Sequence, residues 1–367
     1  MNDLDRRTVL GAGAGALLVA ATPPPMTRRP LLAVPEVDRL RVQTIVDAAT
    51  FGPFLPNLTH PGLTVTRAGN GGPPHMARML PHALLGEFGL SLLADSQRGA
   101  DKRRILLDLG YSREVLANNL ALLGIDPATI DAAVLSHGHL DHFGGFAGLF
   151  GPNFPRRPLP LTVGGEEVFC ERVAQIGDPP PVMGALDRIA LGRAGFAVRE
   201  RSAPSLIADQ GFTTGVIPLQ STERAAIPTS MRPGVGCARN LLDPAKSQAR
   251  EIPDDGEHEL GLAYVVRGLG LVVLASCSHR GVINTIRRAQ AVSGVEKVHA
   301  VLGGFHLVRP RTDEQARTTV AEFARIDPAF IIPMHCTGEV FIAEAERVMP
   351  QKIIRSYVGS TFTFAAG

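Results

Sequence analysis

Residues 136–145 have the sequence Ser-His-Gly-His-Leu-Asp-His-Phe-Gly-Gly, and this stretch says more about the fold than any other. It follows an apolar segment predicted to be a β-strand, so its polar side chains are confined to one tight turn. Neutral imidazoles and a carboxylate are good ligands for Zn²⁺ and similar first-row ions. Packed so closely, these side chains cannot comfortably share one tetrahedral ion. We therefore predict that His137 and His139 bind one metal ion and that Asp141 and His142 bind a second.

Three more histidines follow predicted strands in the second half of the chain. They are His279, His306 and His335, and the apolar segments before them lie at 271–275, 298–302 and 330–333. Open α/β folds place their ligands at the carboxyl ends of strands. If these strands share a sheet, the three imidazoles lie together at one edge of it.

The other predicted elements alternate in the same way. Strands are predicted at 40–46, 90–94, 104–108, 130–136, 161–163, 195–200 and 260–266. Helices are predicted at 112–123, with Ser112 as N-cap and Gly124 as the stop, at 282–292 and at 312–325. The middle of the chain, 151–255, is rich in Pro, Gly and Arg and gives the weakest signal.

Composition is that of a globular protein without a strongly charged surface. Hydrophobic residues make up 45% of the 367 residues and charged residues 20%, enough for one large domain or two modest ones. The formal net charge is only +2, and no long block of Lys and Arg occurs. Proteins that bind the nucleic-acid backbone concentrate basic charge on one surface. We therefore expect no nucleic-acid partner.

The four cysteines are far apart and form no Cys-x-x-Cys pair, so no disulfide scaffold is predicted. Cys170 and Cys237 are interpreted as small buried hydrophobic residues. Cys277 and Cys336 lie close in sequence to two of the histidines that follow strands. We interpret them as neighbours of the metal site rather than as ligands.

Polar residues outside these motifs are predicted first of all to be exposed to solvent. The acidic cluster before the strand at 260–266 is predicted to be a solvated turn, although Glu259 could orient a metal ligand. The other members of that cluster are Asp254, Asp255 and Glu257. The remaining histidines, His60, His75, His82, His258 and His299, are predicted to lie at the surface. The first three of them could instead belong to a loop that covers the substrate.

The first thirty residues have the pattern of an export signal. Arg6 and Arg7 precede an apolar, small-residue segment at 11–21, which is typical of a twin-arginine signal. The segment is too short to span a bilayer comfortably, so no stable membrane span is predicted unless the signal stays uncleaved. We expect residues 1–30 to be the signal and linker and the twin-arginine machinery to be a partner. The mature protein is then periplasmic or otherwise exported.

The His-x-His-x-Asp-His run at 137–142 resembles the hallmark of the metallo-β-lactamase superfamily. Further motifs are similar to the branch of 7,8-dihydropterin-6-methyl-4-(β-D-ribofuranosyl)aminobenzene 5′-phosphate synthase-like metallohydrolases. They lie at 89–93, 105–108, 136–145, 214–218, 259–260, 277–281, 303–307 and 335–338. The branch usually has His and Thr where this chain has Phe88 and Leu109. The resemblance implies an α/β fold, a four-layer αβ/βα sandwich over 36–367, with the metal site at one edge of the sheets.

The same resemblance implies how the metal site is completed. The superfamily adds a histidine, a bridging carboxylate and a last histidine near the C-terminus. His279 is the expected next ligand and His335 the expected last one, while Ser276 to His279 occupy the place of the bridging Asp. His306 is either a ligand or a proton donor that faces the substrate.

Together these residues predict a metal-dependent hydrolase that acts on a small molecule. Two divalent ions are expected, with Zn²⁺ the first expectation and Fe or Mn the alternatives. A hydroxide bound at the dinuclear centre would attack an ester, lactam or phosphoester, with Asp141 orienting it and His306 protonating the leaving group. Two other classes stay open: a catalytically idle metal-binding protein of the cell envelope, and a di-iron oxidoreductase, which normally has a flavin-binding partner domain.

Overall fold

A computed structural model of the chain describes residues 30–50, 55–68, 83–151 and 157–366. The predicted signal up to residue 29, and His75 and His82, lie outside the described residues. In the described part, no helix is long and apolar enough to cross a membrane. Its α-helices are α1 (Arg113–Leu122), α2 (Leu140–Phe143), α3 (Arg188–Arg193), α4 (Pro244–Ser247), α5 (Val282–Ser293), α6 (Asp313–Ile326) and α7 (Glu339–Val348).

The strands follow the same chain order. The first ten are β1 (Glu36–Val37), β2 (Arg39–Val46), β3 (Leu58–His60), β4 (Leu63–Thr66), β5 (Ser91–Arg98), β6 (Asp101–Leu107), β7 (Ala132–Val134), β8 (Leu159–Val163), β9 (Glu171–Ala174) and β10 (Val182–Gly184). The others are β11 (Phe196–Glu200), β12 (Ser205–Ile207), β13 (Gly211–Thr213), β14 (Thr229–Arg232), β15 (Ile252–Pro253), β16 (Leu262–Val266), β17 (Gly270–Leu274), β18 (Val298–Gly303), β19 (Phe330–Pro333) and β20 (Thr361–Ala365).

Local signals explain where the main helices begin. The Ser112 side chain accepts a hydrogen bond from the backbone N–H of Val115 and caps α1, as predicted. α1 ends just before Gly124, which has a φ of 67°. Thr312 and Gln315 form a reciprocal capping box at the start of α6. These side chains satisfy backbone N–H groups that have no partner within the helix, so the helix ends can be predicted from the sequence.

The turns that contain the predicted metal ligands follow strands of two large sheets. Nine of the described strands form the first sheet, in the order β11-β8-β7-β6-β5-β2-β20-β4-β3. Seven form the second, in the order β12-β13-β16-β17-β18-β19, with β1 paired to β16. β6, β7 and β8 run parallel in the first sheet, and β17, β18 and β19 run parallel in the second. Neighbouring parallel strands end at the same edge, so the turns that follow them are gathered there.

Three apolar cores separate four layers. The central core lies between the sheets and joins Leu40 and Val42 of β2 to Leu262 and Tyr264 of β16. A second core covers the outer face of the first sheet, where α1 packs. A third covers the outer face of the second sheet beneath α5, α6 and α7. The predicted four-layer αβ/βα sandwich is therefore confirmed.

The middle of the chain forms a third sheet that was not predicted. Its strand order is β10-β9-β14-β15, and each of these strands is only two to four residues long. A period-2 pattern cannot be recognised over so few residues. α7 and β20 were not predicted either, although β20 pairs with β2 and β4 inside the first sheet.

Cys170 and Cys237 form a disulfide, which corrects their interpretation as unpaired hydrophobic residues. Both are buried, but they are 67 positions apart in the chain. β9 begins directly after Cys170, and it pairs with β14, which lies shortly before Cys237. The pairing of these two strands brings the sulfurs together, and nothing in the local sequence marks it.

Candidate metal centre

The predicted ligands meet at the carboxyl-terminal ends of the parallel strands. The turn after β7 carries His137 and His139, and α2 carries Asp141 and His142. The turns after β17, β18 and β19 carry, in that order, His279, His306 and His335. The structure thus brings all the predicted site residues into one cluster.

Two glycines let the first of these turns pass close to its neighbours. A Cβ atom at Gly144 would collide with the carbonyl oxygen of Tyr111, and one at Gly145 with the carbonyl oxygen of Leu109. Only glycine leaves room for such an approach of two backbones. The Gly-Gly pair therefore lets the chain make a close turn beneath the site.

The first group consists of His137, His139 and His279, whose ring nitrogens lie within 4.8 Å of one another. Each ring is held by its outer nitrogen. The partners of those nitrogens are, in the same order, Ser136 Oγ at 2.8 Å, Thr229 Oγ1 at 3.0 Å and the carbonyl oxygen of Ala226 at 3.2 Å. The inner nitrogens are therefore Nε2 of His137, Nδ1 of His139 and Nε2 of His279. The last two are 3.2 Å apart.

The second group consists of Asp141, His142 and His335, whose ligand atoms also lie within 4.8 Å of one another. Asp141 Oδ2 is 3.5 Å from His142 Nε2 and 3.3 Å from His335 Nε2. His142 Nδ1 is 2.8 Å from Asp108 Oδ2, and the backbone N–H of His335 donates to Asp47 Oδ1 at 2.9 Å. The Asp108 carboxylate behind the His142 imidazole fixes that ring and the nitrogen that faces a metal ion, whereas Asp47 holds only the backbone at His335.

The electrostatics of the two groups differ. Burial, together with the neighbouring imidazoles, lowers the pKa of His137 and His279 well below the usual range. Burial also lowers the pKa of His139 to about 3, against the opposing effect of Asp254. The first group is therefore neutral near pH 7, which is the form of imidazole that binds metal ions.

The second group attracts positive charge. Burial opposes protonation of His142, but the carboxylates of Asp141 and Asp108 raise its pKa to about 9. Burial likewise opposes protonation of His335, but Cys336 and Asp141 raise its pKa well above the usual range. A metal cation bound among these side chains would supply the positive charge that protons on His142 and His335 otherwise supply.

Unpartnered polar atoms support a bound ion in this cluster. His137 Nε2, His335 Nδ1 and both ring nitrogens of His306 are buried and have no hydrogen-bond partner among the described residues. Leaving a buried polar atom unpaired costs about 1–3 kcal/mol. Nitrogen and carboxylate donors at these spacings are those that Zn²⁺ takes, so the residues present fit a metal centre.

Neither ring nitrogen of His306 has a hydrogen-bond partner among the described residues, a property that it shares with His335. The His306 ring lies 4.3 Å from the ring of His279, centroid to centroid. One of its ring nitrogens lies within 4.8 Å of ligand atoms of Cys277 and His279. An imidazole with both nitrogens available suits either of the two predicted roles, ligand or proton donor.

The backbone of the site is strained. Asp108, Ser278, His306 and His335 all have φ between 42° and 61°, in the left-handed region. Only three other non-glycine residues of the described part share this feature. Such conformations cost about 1–3 kcal/mol each and persist where the surrounding structure holds them. Here they turn the chain sharply at strand ends so that the side chains point to one centre.

The acidic cluster is only in part the solvated turn that was predicted, because Glu257 is exposed in a turn whereas Asp254 and Glu259 are buried. Asp254 is buried, and its Oδ2 accepts a hydrogen bond from Arg172 Nε at 3.0 Å and lies 3.9 Å from His139 Nε2. Burial opposes ionisation of Asp254, but Arg172 holds its pKa below the usual range. Glu259 is also buried and accepts from the backbone N–H groups of His279 and Arg280. The suggestion that it orients a ligand is consistent with these contacts.

Two histidines predicted at the surface are buried. His258 Nε2 accepts a hydrogen bond from the backbone N–H of Gly138 at 3.2 Å, inside the motif turn. His299 Nε2 lies 3.2 Å from the carbonyl oxygen of Gly62, at the end of β18 that is far from the site. Neither position has a local motif, because the partners come from distant parts of the chain.

Comparison with known proteins agrees with this geometry. Residues 89–155, which include the histidine run, match the model of the metallo-β-lactamase superfamily. A solved structure of a metal-dependent hydrolase of the β-lactamase superfamily superposes with a TM-score of 0.63 at 22% identity, over 88% of this chain and 98% of that one. The chain therefore has the metallo-β-lactamase fold, and its motif region is similar to the superfamily's sequence model.

The chain is also similar to a protein of the predicted branch. The chain is 29% identical over 286 residues to the 7,8-dihydropterin-6-methyl-4-(β-D-ribofuranosyl)-aminobenzene-5′-phosphate synthase of Methanocaldococcus jannaschii, which covers 73% of this chain and 90% of the synthase. A shorter match, 37% identical over 87 residues, joins 22% of the chain to 20% of a ribonuclease of Thermus thermophilus.

The two departures from the branch pattern lie in different surroundings. Phe88 is 64% exposed, and its ring centroid lies 4.7 Å from that of His335, at the rim of the site. Leu109 is buried in the core beneath α1. Glu87, beside Phe88, accepts hydrogen bonds from the backbone N–H groups of Tyr111 and Ser112. Phe88 is therefore in ring contact with a histidine of the site, whereas Leu109 contributes to the apolar core.

Proposed function

We propose that this protein is a metal-dependent hydrolase with a dinuclear centre, zinc being the first expectation. One ion is held by His137, His139 and His279, and the other by Asp141, His142 and His335. The observation that carries the proposal is that the outer nitrogen of each first-group imidazole is occupied while the inner nitrogens converge. The substrate class is a small molecule with an ester, lactam or phosphoester bond.

The protein's own residues then have separate tasks. When bound, two divalent ions supply a Lewis acid and lower the pKa of water. Asp108 holds the His142 ring through Nδ1, and Asp47 holds the backbone at His335. Asp141 orients the nucleophile, and His306, whose nitrogens are unpartnered, protonates the leaving group. Burial of the imidazoles keeps bulk water away from them.

Metal content of protein purified without added metal tests this proposal. Plasma mass spectrometry should find about two equivalents in the wild type, and His139→Ala should lose at least one of them together with hydrolysis. His299→Ala is the matched control, because that histidine is also buried but lies at the other end of β18. A folded wild type without metal, or hydrolysis unchanged in His139→Ala, would show that the proposal is wrong.

The alternatives predict different results in the same experiment. Two equivalents of metal without activity on a broad ester, lactam and phosphodiester panel would favour an idle metal-binding protein. Iron as the bound metal, with a visible absorption spectrum, would favour the di-iron oxidoreductase.

We also propose that the protein is exported by the twin-arginine route and works in the periplasm. The paired Arg6 and Arg7 support this, and so does the Cys170–Cys237 disulfide, because disulfides persist in oxidising compartments. Replacing both arginines with lysine should leave the protein in the cytoplasm, as measured by cell fractionation. Periplasmic recovery of this double variant at the wild-type level would contradict the proposal.

A further inference from the structure

We propose that Phe88 is a specificity-determining residue and that it selects substrates with an uncharged aromatic group beside the bond that is cleaved. This inference rests on the proposed hydrolase and narrows its substrate class. It assigns a task to a side chain that binds no metal ion and has no part in the mechanism described above.

The position of the ring beside the second group is the first argument. The ring centroid of Phe88 lies 4.7 Å from that of His335, and His335 Nε2 lies 3.3 Å from Asp141 Oδ2. The His335 side chain is fully buried, whereas Phe88 is 64% exposed. Phe88 therefore contacts a residue of the proposed centre and still has most of its apolar surface open to a ligand.

The backbone on both sides of Phe88 is held in place. Glu87 accepts hydrogen bonds from the backbone N–H and the hydroxyl group of Ser112, at 3.0 and 2.6 Å. On the other side, a Cβ atom at Gly89 would collide with the carbonyl oxygen of Asp141, so the chain there packs closely on α2. Because the segment is already ordered, little conformational entropy is lost when a ligand stacks on the ring.

Phe88 also belongs to a group of exposed apolar residues in the turns near the candidate centre. The others are Leu85, Tyr111 and Val308. Tyr111 packs against Gly89, and a methyl group of Val308 packs against Gly338, in the turn that follows β19. Single exposed apolar residues are common, but several of them beside a candidate site indicate a surface for an apolar ligand.

The charges beside Phe88 favour an uncharged group. Its charged neighbour in the chain is Glu87, so a phosphate or carboxylate bound here would lie next to another negative charge. Arg280 and Arg311, which are buried near the turn after β17, donate to backbone carbonyl oxygens. Their hydrogen-bonding groups are therefore used inside the protein. An aromatic ring, by contrast, can pack on Phe88 in an offset or edge-to-face arrangement.

A pair of metal-binding probes tests this selection without requiring turnover. Benzohydroxamate and acetohydroxamate present the same chelating group to the ions and differ in the aromatic ring. Isothermal titration calorimetry of the full-length, metal-loaded wild type should show at least about 10-fold tighter binding of benzohydroxamate. Phe88→Ala should lose most of this preference, and Phe88→Leu should keep part of it.

Ester hydrolysis gives a second readout. Phe88→Ala should lower kcat/KM for phenyl acetate about 10-fold, mainly through a higher KM, and leave kcat/KM for methyl acetate nearly unchanged. Ile189→Ala is the matched control, because Ile189 is 67% exposed but lies on α3, which packs on the edge strand β11. This control should behave as the wild type with both probes and both esters.

The outcomes separate this inference from the proposed function. Equal affinity of the wild type for the two hydroxamates would overturn the role of Phe88 but leave the hydrolase proposal in place. An equal loss of affinity for both probes in Phe88→Ala would overturn it too, because the ring would then only support His335. A wild type that contains no metal and binds neither probe would reject the proposed function, and this inference with it.

Discussion

At the scale of single residues, the ligands were predictable but the side chains that hold them were not. His137, His139 and their neighbours stand in one short run, so their common purpose is visible in the sequence. Asp254 and Arg172 stand in separate segments, and only the fold places them behind His139. A buried Asp in an acidic, glycine-containing stretch has the sequence pattern of a solvated turn. Asp254 can be buried because Arg172 forms an ion pair with it, and the sequence around Asp254 does not show this partner.

Asp254→Asn is predicted to weaken metal binding about 10- to 100-fold, because the carboxylate behind the His139–Thr229 contact is lost. The substitution also leaves Arg172 without its ion-pair partner, so some loss of stability is expected. Chelator competition measures the affinity, and thermal unfolding measures the stability. Asp255→Asn is the control, because that side chain is 42% exposed and pairs with Lys246. Equal metal affinity in both variants would rule out a role of Asp254 at the site.

At the scale of elements, the apolar strands and capped helices follow from local patterns. β19 has the bounds predicted for it, and α6 agrees within a residue, because a buried strand and a capping box are both local signals. The short strands of the third sheet have no such signal. The motif turn itself depends on an element that precedes it, since Gly144 and Gly145 pack on the backbone at 109–111.

Gly145→Ala is predicted to destabilise the protein by about 1–3 kcal/mol, because the new methyl group has no room beside the Leu109 carbonyl oxygen. The turn would shift, so the metal content should fall as well. Gly192→Ala is the control: it lies in α3 with no atom near the added methyl group, so it should be neutral or slightly stabilising. Urea unfolding and metal analysis of both variants check the prediction. Similar stability of the two would contradict it.

At the scale of the whole molecule, the disulfide ties together the third sheet beside the metal site. The carbonyl oxygen of Cys170 accepts a hydrogen bond from Arg172 at 2.6 Å, and Arg172 in turn holds Asp254. The covalent link therefore supports the network behind His139. It closes a long loop, which is the arrangement that most restricts the unfolded chain.

Reduction of this disulfide is predicted to lower the free energy of unfolding by about 2–4 kcal/mol. Urea unfolding of the metal-free protein with and without reductant measures the change. The double variant Cys170→Ser, Cys237→Ser should be as unstable as the reduced protein and should not respond to reductant. If reductant destabilises the double variant to the same extent, the effect does not come from this disulfide.

The four-layer sandwich was implied by the resemblance of the motifs to a known superfamily. Local sequence patterns were sufficient for the strand–turn–helix units and for the histidines and aspartate of the candidate centre. They were sufficient because apolar periodicity and a compact ligand run act over a few neighbouring residues. The assignment of His279 to one group and His335 to the other, the pairing of Cys170 with Cys237 and the burial of Asp254 depended on tertiary structure. Each of these joins residues from different strand ends, and their proximity results from sheet pairing and core packing, which no short segment encodes.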